Sequence, residues 1–218
     1  MPNWKVHLEI GNKVNEKLNN NINDSTMFLF GSVLPDVNNG YLVKDVSKVI
    51  SHGGTHYSGE IFKGYKIFYE KYAKEIRINP LFQGYFAHLI TDFFWNNYFY
   101  ADFYKKNKEE LKELNREELR ILKQDDFKIY DSLFYKDVIE GADDDKILES
   151  AKKINEISIN KKDVKNVLEY IKKNANIVPE KKEFKVLKKE DLDKLMNDTI
   201  KYIYKTLEDI KSNNEVFL

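Results

Sequence analysis

Apolar residues recur at helical spacing through most of this chain. Val6, Ile10, Val14 and Leu18 fall on one helical face and predict a helix over residues 4–18, with Asn3 placed to cap it. Met27 to Leu34 is a short apolar segment that Pro35 brings to an end. Residues 35–59 lack any period and hold Pro35, Gly40, Gly53, Gly54 and Gly59. They predict a long loop with one turn of helix near residues 46–50, and a loop of that length inside a compact domain usually carries function. Helical spacing returns over residues 60–76, Asn79-Pro80 marks a stop and restart, and residues 81–104 predict one long, very aromatic helix. Beyond residue 105 the texture changes. Lysine- and glutamate-rich segments with apolar positions three and four apart predict helices over 111–122, 127–139, 147–157, 164–171 and 192–210. Pro179 interrupts them, and Phe184 to Leu187 reads as a brief extended piece. The expected architecture is all-α: a single multi-helix domain over residues 1–218, with its chemistry in about 1–104 and a helical buttress in about 105–218.

Composition sharpens that picture. Only 9 glycines and 4 prolines in 218 residues weigh against an all-β fold, which needs many turns. Lysine plus arginine equals aspartate plus glutamate, 36 each, so there is no bulk positive charge to hold nucleic acid. Cysteine is absent, which excludes disulfides, iron–sulfur clusters, thiolate zinc sites and a cysteine nucleophile. No run of apolar residues is long enough for a transmembrane segment, and Met1 to Lys5 lacks the apolar core of a signal peptide, so a cytoplasmic protein is expected. Nothing in the pattern speaks to oligomeric state.

The candidate chemistry is concentrated in the first half. All four histidines, His7, His52, His56 and His88, precede residue 89. His88 and Asp92 are four apart and therefore share a helix face, among Tyr85, Phe86, Ala87, Leu89, Ile90, Phe93, Phe94 and Trp95. An ionised carboxylate in such surroundings is costly unless paired or bound to a metal. Asp36 ends the apolar segment Phe28 to Pro35, as an Asx turn or cap or as a ligand at the lip of a buried element. His52 and His56 lie in the glycine-rich stretch Ser51-His52-Gly53-Gly54-Thr55-His56-Tyr57, and His7 lies one turn from Trp4. Each histidine alone has an ordinary reading as a surface or core residue; their company points to an N/O metal site.

Four elements in this order carry a resemblance: Trp4-Lys5-Val6-His7, Gly31 to Asp36 with its Pro-Asp, Thr55-His56, and Gly84 to Asp92. Over about residues 1–100 the chain resembles the zinc-dependent phospholipase C family, which has the all-α fold of the phospholipase C and P1 nuclease type. The resemblance implies that Asp36, one loop histidine, His88 and Asp92 hold one zinc ion, and that His7 holds a neighbouring ion with Asp92 as the bridge. Thr55-His56 fits the family pattern, which makes His56 the expected loop ligand and His52 the reserve. A third ion in the family needs later histidines, and none follows His88. The acidic group of Asp125, Asp126 and Asp131 either supplies oxygen ligands in its place or serves as caps and solvated surface. The implied cofactor is one or two Zn2+ ions, with Mn2+, Fe2+ or Ni2+ as substitutes in a thiolate-free shell. The implied activity is phospholipase C-like hydrolysis of a phosphoric ester by metal-activated hydroxide, with Asp36 and Asp92 catalytic. Its substrate would be a phosphoester small molecule or a phospholipid head group. Tyr57, Tyr85, Trp95 and Phe99 are placed either to line a groove or to pack the core. Two other classes compete: a non-catalytic helical metal-binding or interaction module with a reduced site, and an HD-type phosphohydrolase. The latter needs an adjacent His-Asp pair, which the chain lacks.

Overall fold

A computed structural model describes residues 3–52, 64–134, 139, 141–174 and 183–212, and among these it is all-α, with no strand. Helix α1 (Trp4–Lys17) and α2 (Ser25–Gly31) lead through a 3-10 turn (Leu34–Asp36) to the short α3 (Lys48–Ser51). Then come α4 (Gly64–Ile78) and α5 (Pro80–Asn97), followed by a π-helical turn (Tyr98–Phe103) and two short pieces, α6 (Tyr104–Lys106) and α7 (Lys108–Leu111). The second half holds α8 (Arg116–Asp131), α9 (Asp144–Ala151), α10 (Lys161–Asn174) and α11 (Lys189–Lys211).

Helix α5 is the axle of the molecule. Pro80 takes the first helical position, where its missing N–H costs nothing, and Asn79 Oδ1 accepts from Leu81 N at 3.0 Å. From Leu81 to Asp92 every side chain is buried, so the helix is covered on all sides rather than along one stripe. It packs most extensively on α2 and α4. The α2 crossing is backbone against backbone: a Cβ at Gly84 would overlap the Phe28 carbonyl, and one at Gly31 would overlap the Leu81 carbonyl. Two lone glycines inside apolar helical runs therefore set how closely these elements approach.

The later helices are amphipathic. Helix α11 buries Leu192, Leu195, Met196, Ile200, Ile203, Leu207 and Ile210 along one face, against α1, α5 and α4, and leaves its lysines outside. One hydrophobic cluster runs from Val6 to Ile210 and joins both halves of the chain. Where the connection after Asp36 turns back, buried Asn38 pins it: its amide donates to the Lys44 and Ser158 carbonyls, both at 2.7 Å, and its Oδ1 accepts from Ser158 N at 3.2 Å.

Three boundaries differ from the pattern-based expectation. Residues 81–104 do not form one α-helix, because the turn at Tyr98–Phe103 widens to a π-helix and keeps Phe99 and Phe103 both in the core. The helices expected over 111–122 and 127–139 are largely one, α8, whose start is fixed by a capping box between Asn115 and Glu118. Its charged middle does not interrupt it, since charged side chains on the outer face cost a helix little. Phe184 to Leu187 forms bends rather than an extended piece, held by a carboxylate described below.

Candidate metal centre

The elements around α5 bring five of the sequence candidates together. His7 lies on the buried face of α1, Asp36 ends the 3-10 turn, His52 follows α3, and His88 and Asp92 lie one turn apart on α5. Asp92 is the hub. Its Oδ1 lies 3.6 Å from His7 Nε2. Its Oδ2 lies 3.3 Å from His52 Nε2 and 3.6 Å from His88 Nε2. Asp36 Oδ1 is 3.4 Å from His52 Nε2, and the His52 and His88 Nε2 atoms are 3.4 Å apart. The His7 and His88 rings stack, centroids 4.0 Å apart and 9° from parallel. His7, His88 and Asp92 are at most 1% exposed, whereas the Asp36 side chain keeps 11%.

Two of the imidazoles are oriented from behind. His88 Nδ1 lies 2.8 Å from the Ser32 carbonyl, which can only accept, so Nδ1 carries a proton and Nε2 is the nitrogen turned to the cluster. His52 Nδ1 lies 2.8 Å from Ser51 Oγ. The buried Tyr85 hydroxyl in turn donates to the Ser51 carbonyl, one α5 turn before His88.

The centre makes poor sense as a closed hydrogen-bond network. Both nitrogens of His7 and both oxygens of Asp92 are buried without a hydrogen-bond partner among the described residues. Such groups cost free energy unless something satisfies them. A cation would satisfy them. A tetrahedral shell with bonds of about 2.0–2.2 Å holds its donor atoms about 3.3–3.6 Å apart, the spacing found around Asp92. Within each of two triads, His7, His88 and Asp92 or Asp36, His52 and His88, the donor atoms lie within 4.8 Å of one another. The donors are imidazole and carboxylate only, a set suited to zinc.

The electrostatics point the same way. Burial lowers His7 to about 3, with His88 alongside pushing in the same direction, so its ring is neutral and fit to ligate. Burial also works against a charged His52, yet the Asp36 and Asp92 carboxylates outweigh it and push His52 up to about 9. Without a metal, a proton on His52 supplies the positive charge these carboxylates require. Burial alone would raise Asp92, but His88 and His52 hold its carboxyl well below the usual range.

The remaining sequence candidates fall elsewhere. His56 and Tyr57 lie outside the described residues; among the described ones His52 is the loop histidine at the cluster. Asp126 is not brought to the centre. It is fully buried on α8 and accepts from the backbone N–H groups of Lys185, Val186 and Leu187, each at 2.8 Å. Asp125 pairs on the surface with Lys128 and Lys185, and Asp131 accepts from Val6 N. Trp95 and Phe99 pack against Phe127 in the core. Reading the sequence missed Ser32, whose contribution is a backbone carbonyl and leaves no trace in residue type. It also missed Ser51, which its position beside His52 could have suggested.

The zinc-dependent phospholipase C family model matches residues 6–209. The chain belongs to the zinc-dependent phospholipase C family. No curated protein and no solved structure matches it. The match spans both halves of the chain, so the amphipathic helices beyond residue 105 belong to the zinc-dependent phospholipase C unit as much as the histidine-bearing half does. No described helix is long and apolar enough to cross a membrane.

Proposed function

We propose that this protein is a zinc-dependent hydrolase of phosphoric esters whose centre is built from His7, Asp36, His52, His88 and Asp92. The observation that carries the reading is the buried Asp92 carboxylate, faced by three imidazole nitrogens at 3.3–3.6 Å and without a hydrogen-bond partner among the described residues. Asp36, His52, His88 and Asp92 would hold one ion, and His7 with Asp92 would begin a second site. His88 offers a single free nitrogen, because its other one is committed to Ser32, and so serves one ion only.

Zinc bound here supplies Lewis-acid polarisation of a phosphoryl oxygen and acidifies water. The chain's own residues do the rest. Asp36, the partly exposed one of the two carboxylates, would orient a water molecule beside the ion. His52 gives up its extra proton when a cation takes over the charge of its two carboxylate neighbours. The fully buried His7, His88 and Asp92 exclude bulk water from the inner side, so that the charges act in a low dielectric. The substrate class is a phosphoester small molecule or a phospholipid head group.

The test is metal content per chain together with hydrolysis of p-nitrophenyl phosphomonoesters and phosphodiesters and of phospholipid vesicles. One or two zinc ions per chain and turnover that is lost on chelation and restored by zinc are expected. Metal bound without turnover across the panel leaves a metal-binding module instead; no metal at all refutes the reading.

A further inference from the structure

His7 differs from its neighbours in how it is held. His88 is fixed by the Ser32 carbonyl and His52 by Ser51 Oγ, but neither ring nitrogen of His7 has a hydrogen-bond partner among the described residues. Its ring is set by stacking on His88, by the Asp92 carboxylate 3.6 Å away and by where the first turns of α1 lie. That first turn lacks its own cap. Asn3 occupies the N-cap position with extended backbone, yet its side chain makes no capping bond. The Val6 N–H, immediately before His7, is shared between the Asn3 carbonyl at 3.1 Å and Asp131 Oδ1 at 3.2 Å. The Lys5 N–H is turned to the same carboxylate. Asp131 is the last residue of α8 and stands 125 positions away along the chain.

We propose that Asp131 is a positioning residue for His7: it caps the first turn of α1 from α8 and thereby fixes the imidazole against His88 and Asp92. The substitute cap comes from the second half of the chain, so this carboxylate adds a polar link to the apolar packing of α11 on α1 and α5. It is also an acidic side chain near the centre that acts through backbone N–H groups and ligates nothing. The consequence for metal binding rests on the proposed function; the consequence for the His7 ring does not.

Two readouts separate these. In the metal-free protein carrying 13C-labelled histidine, the His7 ring signals are displaced by the stacked His88 ring, and a His7→Ala variant assigns them. Asp131→Ala is expected to move the His7 signals towards their unstacked position while those of His52 and His88 stay in place. Asp131→Asn keeps an acceptor oxygen and is expected to restore the wild-type spectrum. In a cobalt titration, Asp131→Ala is expected to weaken binding about 10-fold or more, and Asp131→Asn to recover most of the loss. Unchanged His7 signals in Asp131→Ala overturn the proposal. So does an equal shift of all three cluster histidines, which makes Asp131 a general stabiliser of the fold. If the wild type binds no cobalt while the His7 signals respond as expected, the proposed function fails and the positioning role stands.

Discussion

Asp92 on α5 and Asp126 on α8 are both aspartates at zero exposure within an aromatic core, and they do opposite things. Asp126 accepts three backbone N–H groups at 2.8 Å and ties the segment before α11 to α8. Asp92 faces three imidazoles and has no hydrogen bond on either oxygen among the described residues. Burial alone therefore does not mark a working carboxylate. What distinguishes the two is the partner: fixed backbone N–H dipoles complete the first, whereas the second faces titratable imidazoles, of which His52 carries the compensating charge.

The largest expected effect comes from breaking the Asp92 side. Asp92→Asn should abolish hydrolysis of p-nitrophenyl phosphoesters and reduce metal per chain to one or fewer, with helical circular dichroism unchanged. Retained activity would rule out Asp92 as the bridge. The converse change, Asp126→Ala, strips three buried N–H groups of their acceptor. It should cost roughly 3–5 kcal/mol of stability in urea unfolding while leaving metal stoichiometry intact. A loss of metal without a loss of stability would reverse the roles assigned to the two aspartates.

A smaller effect appears with pH in the metal-free protein. His52, raised from 6.5 to about 9, contributes stability that is full below pH 6.5 and is lost as pH rises through 9. His7, lowered from 6.5 to about 3, contributes stability that is full above pH 6.5 and is lost as pH falls through 3. Unfolding free energy measured in chelator should thus fall away on both sides of about 6.5. His52→Asn should flatten the alkaline limb alone, and His7→Asn the acid one. Asp131, pushed by burial from 3.8 up to about 6, tilts the acid side the other way, because its contribution is lost as pH rises through 6. Smallest of all, Lys189→Ala removes an exposed ion pair with Asp193 on α11 and should change stability by less than about 0.5 kcal/mol. A larger change would mean that the outer face of α11 supports the core more than its exposure suggests.

Legibility in the sequence followed the same divide. The helix positions of α1, α10 and α11 were visible because each has a wet face and a dry one, so the period shows. Helix α5 was visible as apolar and aromatic, and its few polar residues stood out against that background; this is why His88 and Asp92 could be found. Asp126 could not be told from a ligand, because its partners are backbone N–H groups 59 to 61 residues away and carry no residue signature. The π-helical turn was hidden for a related reason: Phe99 and Phe103 fit an ordinary helix by spacing, and only the packing of both rings inside selects the wider turn. His7 was legible as a histidine beside an apolar face, but its dependence on Asp131 was not, since that link joins the two ends of the chain's first 131 residues.

The Ser32 carbonyl carries a consequence for the order of assembly. It is an end-of-helix oxygen that needs a donor, and the donor it finds is His88, 56 residues later. Until α2 and α5 meet, nothing keeps a proton on Nδ1, and the other neutral tautomer turns an N–H rather than an acceptor nitrogen towards the cluster. The candidate centre therefore presents an aimed imidazole only once α2 and α5 have met, and a chain mispaired at this crossing loses that aim together with the donor at its helix end.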